Sequence, residues 1–139
     1  MKILIIEDNP QEIKYYQPLI TPEREINFLF LTTDQSYSKE KLKELIGLLY
    51  GDISSRIKNY FVSTKENIKE FLRANPFDFY LLDSLEGFAK SLVGEINLPK
   101  EKVAFLSSKK SFVESVRSEG YRAYSKNNID RLIEECFQK

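Results

Sequence analysis

Ile3-Leu4-Ile5-Ile6 is apolar at every position and runs straight into two adjacent carboxylates, Glu7 and Asp8. A strand with no alternating polar face has to be covered on both sides, the condition of a strand inside a parallel sheet. The same kind of run recurs at Phe79-Tyr80-Leu81-Leu82 before Asp83, and at Val103-Ala104-Phe105-Leu106 before Ser107 and Ser108. Amphipathic helical stretches lie between these runs. That alternation predicts an α/β fold, a mainly parallel sheet with helices on both faces.

Local signals punctuate the pattern. Asn9 is placed to cap a helix that has Pro10 at its first position and Glu12 three residues after the cap, and the helix is expected to stop near Pro18. Ser63-Thr64-Lys65-Glu66 reads as a capping box, followed by Ile68, Phe71 and Leu72 on one face and closed by Asn75-Pro76. A helix around Phe88 to Val93 follows the second strand end. Phe112, Val113 and Val116 mark another helix, which stops at Gly120. A last strand, Tyr121 to Ser125, delivers Lys126. The final helix carries Ile129, Leu132, Ile133 and Cys136 at 3,4 spacing, with Asn127 or Asn128 as its cap.

Residues 21–59 exceed what a minimal five-strand sheet needs. They hold a strand candidate, Ile26 to Leu31, and a helical stretch expected from about Lys39 to Asn59 whose Leu42, Leu45, Ile46, Leu49, Ile53 and Ile57 share one face. The segment reads as an inserted strand plus helix with Ile26 to Leu31 as the additional strand, its apolar stripe packed on the core; Gly47 and Gly51 are placed to bend or split the helix. Either Ile26 to Leu31 or Tyr60 to Ser63 could lie beside the first strand.

Bulk composition narrows the function. The 139 residues fit one domain spanning 1–139. Lys plus Arg and Asp plus Glu are both 21, so binding nucleic acid by charge alone is not expected. A single cysteine, Cys136, and no histidine argue against a disulfide framework or a structural zinc. No apolar run approaches the ~20 residues of a membrane span, and strand-like sequence begins at residue 3. A cytoplasmic domain without a leader is expected.

In a parallel sheet the strand ends at Asp8, Asp83, Ser107 and Lys126 open on one edge, around the crevice where strand order reverses. Two acids, a hydroxyl and a lysine meeting there could hold Mg²⁺, present a carboxylate nucleophile and neutralise a phosphoryl group in transfer. Alone, each residue has a plainer reading: the acids and Ser107 as helix caps, Lys126 as a solvated surface charge that contributes little to stability. Together, Ile5-Ile6-Glu7-Asp8-Asn9-Pro10, Phe77-Asp78-Phe79-Tyr80-Leu81-Leu82-Asp83, Phe105-Leu106-Ser107-Ser108 and Ser125-Lys126 resemble the receiver domains of two-component response regulators. The resemblance implies a receiver-like (flavodoxin-like) three-layer α/β/α fold with residues 21–59 as an insertion. It implies that Asp83 accepts phosphate from a histidine kinase, a phosphotransfer protein or a small donor. It also implies Mg²⁺ held directly by Asp8 and Asp83, by Glu7 mostly through water, and by the main-chain carbonyl of Leu85. Lys126 would pair with the carboxylate and then with the phosphoryl group, and Ser107 would hydrogen-bond a phosphoryl oxygen.

Departures from the family pattern bear on output. Asn127 stands where a proline usually follows the lysine, and the loop after Asp83 lacks its usual proline. Ala123 occupies the position where receivers often carry a switch aromatic, and strand alternation points Tyr124 to the other face. The first functional reading is therefore a stand-alone receiver signalling to an unidentified output protein through a changed surface. The alternative is a pseudo-receiver acting as a protein-interaction module without phosphate. A third reading, a small Mg²⁺-dependent phosphohydrolase, lacks a second acid or base obviously suited to activating water.

Overall fold

The opening apolar run becomes β1 (Lys2–Glu7), and Ile3, Leu4, Ile5 and Ile6 are all fully buried. The protein is described by a computed structural model covering every residue except 9, 32–38, 52–56 and 138–139. Residue 9 is the expected Asn9 cap, which therefore lies outside the described residues, as does Ile53. Five more strands join β1: β2 (Glu25–Leu31), β3 (Lys58–Val62), β4 (Phe79–Asp83), β5 (Val103–Ser107) and β6 (Arg122–Ser125). They form one sheet in the order β3-β2-β1-β4-β5-β6, and every pairing is parallel. The α/β expectation therefore holds.

Side-chain alternation sends the sheet's two faces into two separate cores. Ile3, Ile5, Phe28, Phe30, Leu81 and Leu106 pack under a 3₁₀ helix (Pro10–Leu19), α1 (Lys39–Tyr50) and α5 (Ile129–Cys136). Leu4, Ile6, Leu29, Leu82 and Phe105 pack under α2 (Lys65–Ala74), α3 (Phe88–Ile96) and α4 (Lys110–Ser118). The result is a three-layer α/β/α sandwich. Ile13, Tyr16 and Leu19, spaced by three, are each fully buried. That spacing matches the three residues per turn of a 3₁₀ helix, and Pro18, lacking an N–H, cannot close an α-type bond in its last turn.

Residues 21–59 enter the sheet itself. Glu25–Leu31 is the strand beside β1, paired from Lys2↔Glu25 to Glu7↔Phe30, and is buried along almost its whole length. The strand outside it is β3, half-buried and at the margin of the sheet. By position, then, β3 and not Ile26 to Leu31 is the strand beyond a five-strand order. The expected helix to Asn59 ends at Tyr50, where Gly51 turns left-handed with φ +54°. Ile57 lies beyond it, buried in the core next to β3. Leu45 and Ile46 face the same core as expected, whereas the side chains of Leu42 and Leu49 lie outside the described set.

Two caps differ from expectation. Thr64, not Ser63, caps α2 and accepts the Asn67 N–H at 3.0 Å, while Glu66 pairs with Lys69. At the other end of the chain Asn128 holds the N-cap position of α5, as expected, but makes no side-chain cap bond. Ser125 accepts the Asn127 N–H at 3.3 Å and opens a 3₁₀ turn (Lys126–Asn128) that leads into α5. This turn aims Lys126 back over the sheet edge. Among the described residues no helix is long and apolar enough to cross a membrane.

Candidate functional site

The chain leaves β1 for β2 on one side, and after β3 it crosses to β4 on the other side of β1. Order reverses between β1 and β4, and open α/β sheets hold their ligands beyond the carboxyl ends of the strands at such a point. Glu7 closes β1 with Asp8 directly after it, and Asp83 closes β4. Ser107 ends β5, and Lys126 follows β6. The structure thus brings all five side chains predicted from sequence to one edge. Asp8, Asp83, Ser107 and Lys126 line a cleft of about 340 Å³.

Lys126 organises the site. Its ammonium lies 2.5 Å from Asp83 Oδ1, 2.9 Å from Glu7 Oε1 and 3.8 Å from Glu12 Oε1. It is only 4% exposed, which corrects the expectation of a solvated surface lysine. Burial alone would lower its pKa, but the charges and hydrogen bonds of Glu7 and Asp83 outweigh that and raise it, so it stays an ammonium.

Glu7 is fully enclosed. Its Oε1 accepts the Tyr16 hydroxyl at 2.8 Å as well as Lys126, and its Oε2 accepts the Asp8 N–H at 3.0 Å. Even so, burial and the charge of Asp83 push the Glu7 carboxyl up to about 8 against the pull of Lys126 and Tyr16. Burial, with the hydrogen bond and charge of Asp83, pushes Asp8 up to about 6. The Tyr16 hydroxyl is driven well above its ordinary value by burial and by Glu7, so it remains a neutral donor.

The fit to a divalent cation can be read from this donor set. Glu7, Asp8 and Asp83 each offer a carboxylate oxygen, and those oxygens lie within 4.8 Å of one another. Glu7, Glu12 and Asp83 share Lys126, and Glu7 and Asp8 hold protons more tightly than usual. Hard oxygen donors with uncompensated negative charge suit Mg²⁺ or a similar hard cation. Leu85 sits at the turn after Asp83 with φ +49°, and its N–H donates to Asp83 Oδ2 at 3.2 Å. Its carbonyl accepts the Phe88 N–H, which leaves a second lone pair for a cation. The plain helix-cap readings are not met: Ser84 and Lys109 hold the N-cap positions without side-chain cap bonds, and Asp83 and Ser107 instead accept the N–H two residues on, from Leu85 at 3.2 Å and Lys109 at 3.0 Å.

Sequence reasoning missed Tyr16 and gave Glu12 only a capping role. The three-residue spacing of Ile13, Tyr16 and Leu19 was the available signal for a buried tyrosine. Glu12 lines the cleft with Ser84, Ser108 and Lys109, so an acid beyond the expected set does reach the site. A larger groove of about 430 Å³, between the 3₁₀ helix and the start of α5, shares only Lys126 with the cleft and gathers no set of hard ligands. The strand order is also that of dinucleotide-binding folds, but those place a glycine-rich turn after the first strand to admit a pyrophosphate. Here the sequence after the apolar run is Glu7-Asp8-Asn9-Pro10, with no glycine and with two acids that repel one.

No family model, curated protein or solved structure matches the chain.

Proposed function

We propose that this chain is a phosphoacceptor of receiver type, in which Asp83 accepts a phosphoryl group from a histidine kinase, a phosphotransfer protein or a small phosphodonor. The observation that carries the reading is Lys126 held 2.5 Å from Asp83 Oδ1 beside Glu7 and Asp8 at the switch point of a doubly wound sheet. In this reading an Asp83 oxygen forms the new bond to phosphorus. The bond from phosphorus to the donor breaks, and its electron pair leaves with the donor. Asp8 and Asp83 would hold Mg²⁺, which when bound offsets the negative charge of the incoming group. Lys126 stays protonated and follows the charge from carboxylate to phosphoryl oxygen, while the Ser107 hydroxyl is placed to donate to that oxygen.

The test is incubation with acetyl phosphate and Mg²⁺ followed by intact-mass and peptide mass spectrometry. One base-labile phosphate on Asp83 is expected, and Asp83→Asn should abolish it. Asp8→Asn should weaken Mg²⁺ binding by about tenfold, since it removes one charged ligand of a hard-cation site.

A phosphate-independent binding module is the second reading, and the output end of the fold favours it. Ala123 is buried on the face of Ser107, whereas Tyr124 packs on the opposite face against α5, its hydroxyl 3.7 Å from Cys136 Sγ. No aromatic at position 123 can follow Ser107 toward a bound phosphoryl group. Wild type that takes no phosphate from acetyl phosphate or a kinase panel, yet binds Mg²⁺ and a partner, would select this reading.

A further inference from the structure

Glu7 is the least accessible of the site's carboxylates, and its bonding is already committed. One oxygen accepts both Tyr16 at 2.8 Å and Lys126 at 2.9 Å, and the other accepts a main-chain N–H at 3.0 Å. A carboxylate bound by charge-assisted and buried hydrogen bonds on both oxygens gives them up only at the cost of leaving donors unpaired. Asp8 has a different setting: it lines the open cleft with Asp83. Tyr16 comes from the middle of the 3₁₀ helix, and its ring is wedged edge-on against Phe28 of β2, with centroids 5.9 Å apart. Its hydroxyl is therefore aimed by the core and not by the site.

We propose that Tyr16 is the positioning residue of this site: its hydroxyl fixes Glu7 as the hydrogen-bonded anchor of Lys126, which holds the lysine at Asp83 and leaves the cation to Asp8 and Asp83. This deepens the phosphoacceptor reading, on which its kinetic part rests. The chain of contacts runs Tyr16 hydroxyl, Glu7 carboxylate, Lys126 ammonium, Asp83 carboxylate, and each step is 2.9 Å or shorter. Glu7 then serves as an anchor for Lys126 and not as a metal ligand, even through water. Removing the hydroxyl should free Glu7 Oε1 to swing, and Lys126 with it, while the two cleft carboxylates keep their places.

The test uses the full chain labelled with ε-¹⁵N-lysine, with the Lys126 ammonium signal identified by its loss in Lys126→Arg. In Tyr16→Phe, hydrogen exchange of that ammonium should speed up by about tenfold, as the loss of one buried hydrogen bond allows. In the same variant the maximal rate of phosphate uptake at saturating Mg²⁺ should fall by about fivefold, while the half-saturating Mg²⁺ concentration shifts by less than about twofold. An unchanged ammonium signal and unchanged uptake would overturn the proposal. So would a large rise in half-saturating Mg²⁺ with the maximal rate intact, which would make Glu7 a ligand. If Tyr16→Phe does not fold by circular dichroism, Glu7→Leu takes its place: it offers Lys126 no acceptor, so Lys126 exchange should speed up there too, and a wild-type signal would sink the idea. Should wild type take no phosphate at all, the phosphoacceptor reading fails, and the Lys126 signal still decides the role of Tyr16.

Discussion

Lys126 ties together groups that would otherwise repel one another in a nearly dry place, and two predictions follow at the residue scale. Lys126→Ala leaves Glu7 and Asp83 without their shared cation, and breaking a buried pair by removing one partner typically costs about 3–5 kcal/mol. Urea denaturation at pH 7.5 should show a loss near the lower end of that range, because Glu7, raised to about 8, already carries a proton much of the time at that pH. A loss under about 0.5 kcal/mol, the scale of an exposed lysine, would contradict the burial seen here. The second prediction concerns pH. Glu7 is raised from an ordinary 4.5 to about 8 and Asp8 from 3.8 to about 6, so the folded state binds protons more tightly than the unfolded state. Stability must then fall as pH rises from about 4.5 to 8 for Glu7 and from 3.8 to about 6 for Asp8. Lys126, raised above 10.5, acts outside that window, and the lowered carboxyls Glu23, Glu25 and Glu135 act below their ordinary 4.5. Metal-free protein should therefore melt at a lower temperature at pH 8 than at pH 5, and added Mg²⁺ should raise the melting point more at pH 8. A flat profile would mean that these acids keep ordinary affinities for protons.

Among the elements, the 3₁₀ helix and β2 act as one support. Phe28 stacks on Phe30 with centroids 5.4 Å apart and meets Tyr16 edge-on, so β2 braces the residue that braces Glu7. Phe28→Ala should cost about 3–5 kcal/mol by urea denaturation through cavity formation. It should also loosen the Lys126 ammonium, although Phe28 does not line the cleft. Leu48 is the contrasting case: it is 84% exposed on α1, and Leu48→Lys should stay within about 0.5 kcal/mol of wild type.

For the whole molecule, residues 21–59 belong to the sheet and its core. They supply β2, which pairs with β1 over six residues, and Ile46 and Ile57, which sit in the same core as Tyr16. Deleting 21–59 should uncover Ile3, Ile5 and Tyr16 and give an unfolded or aggregating chain, read by far-ultraviolet circular dichroism and size-exclusion chromatography. A deletion variant that remains folded and monomeric would mark the segment as an appendage instead. The same placement explains how three carboxyl groups come to share one lysine: the surrounding sheet and 3₁₀ helix hold them, so the proximity is imposed by backbone packing and not by the site's own attractions.

Much of this architecture can be read locally. All-apolar runs must be buried on both faces, a parallel sheet puts every strand's carboxyl end on one edge, and so Glu7, Asp8, Asp83, Ser107 and Lys126 were bound to meet once the strands were recognised. Pairing between distant strands is not a local property. Ile26 to Leu31 and the strand before Ser63 are both apolar enough to lie beside β1, and only packing under the 3₁₀ helix and α1 decided for the first. The depth of each charge was hidden for the same reason. Lys126 and Glu7 are separated by 119 residues, and a lysine's exposure depends on what folds over it, here a carboxylate held by a tyrosine from a third element. Sequence by itself determined the strands, their direction and the edge where the acids gather; the tertiary structure alone decided which strand flanks β1, that Lys126 is buried, and that Tyr16 stands behind Glu7, because burial and hydrogen-bond partners arise only when remote elements come into contact.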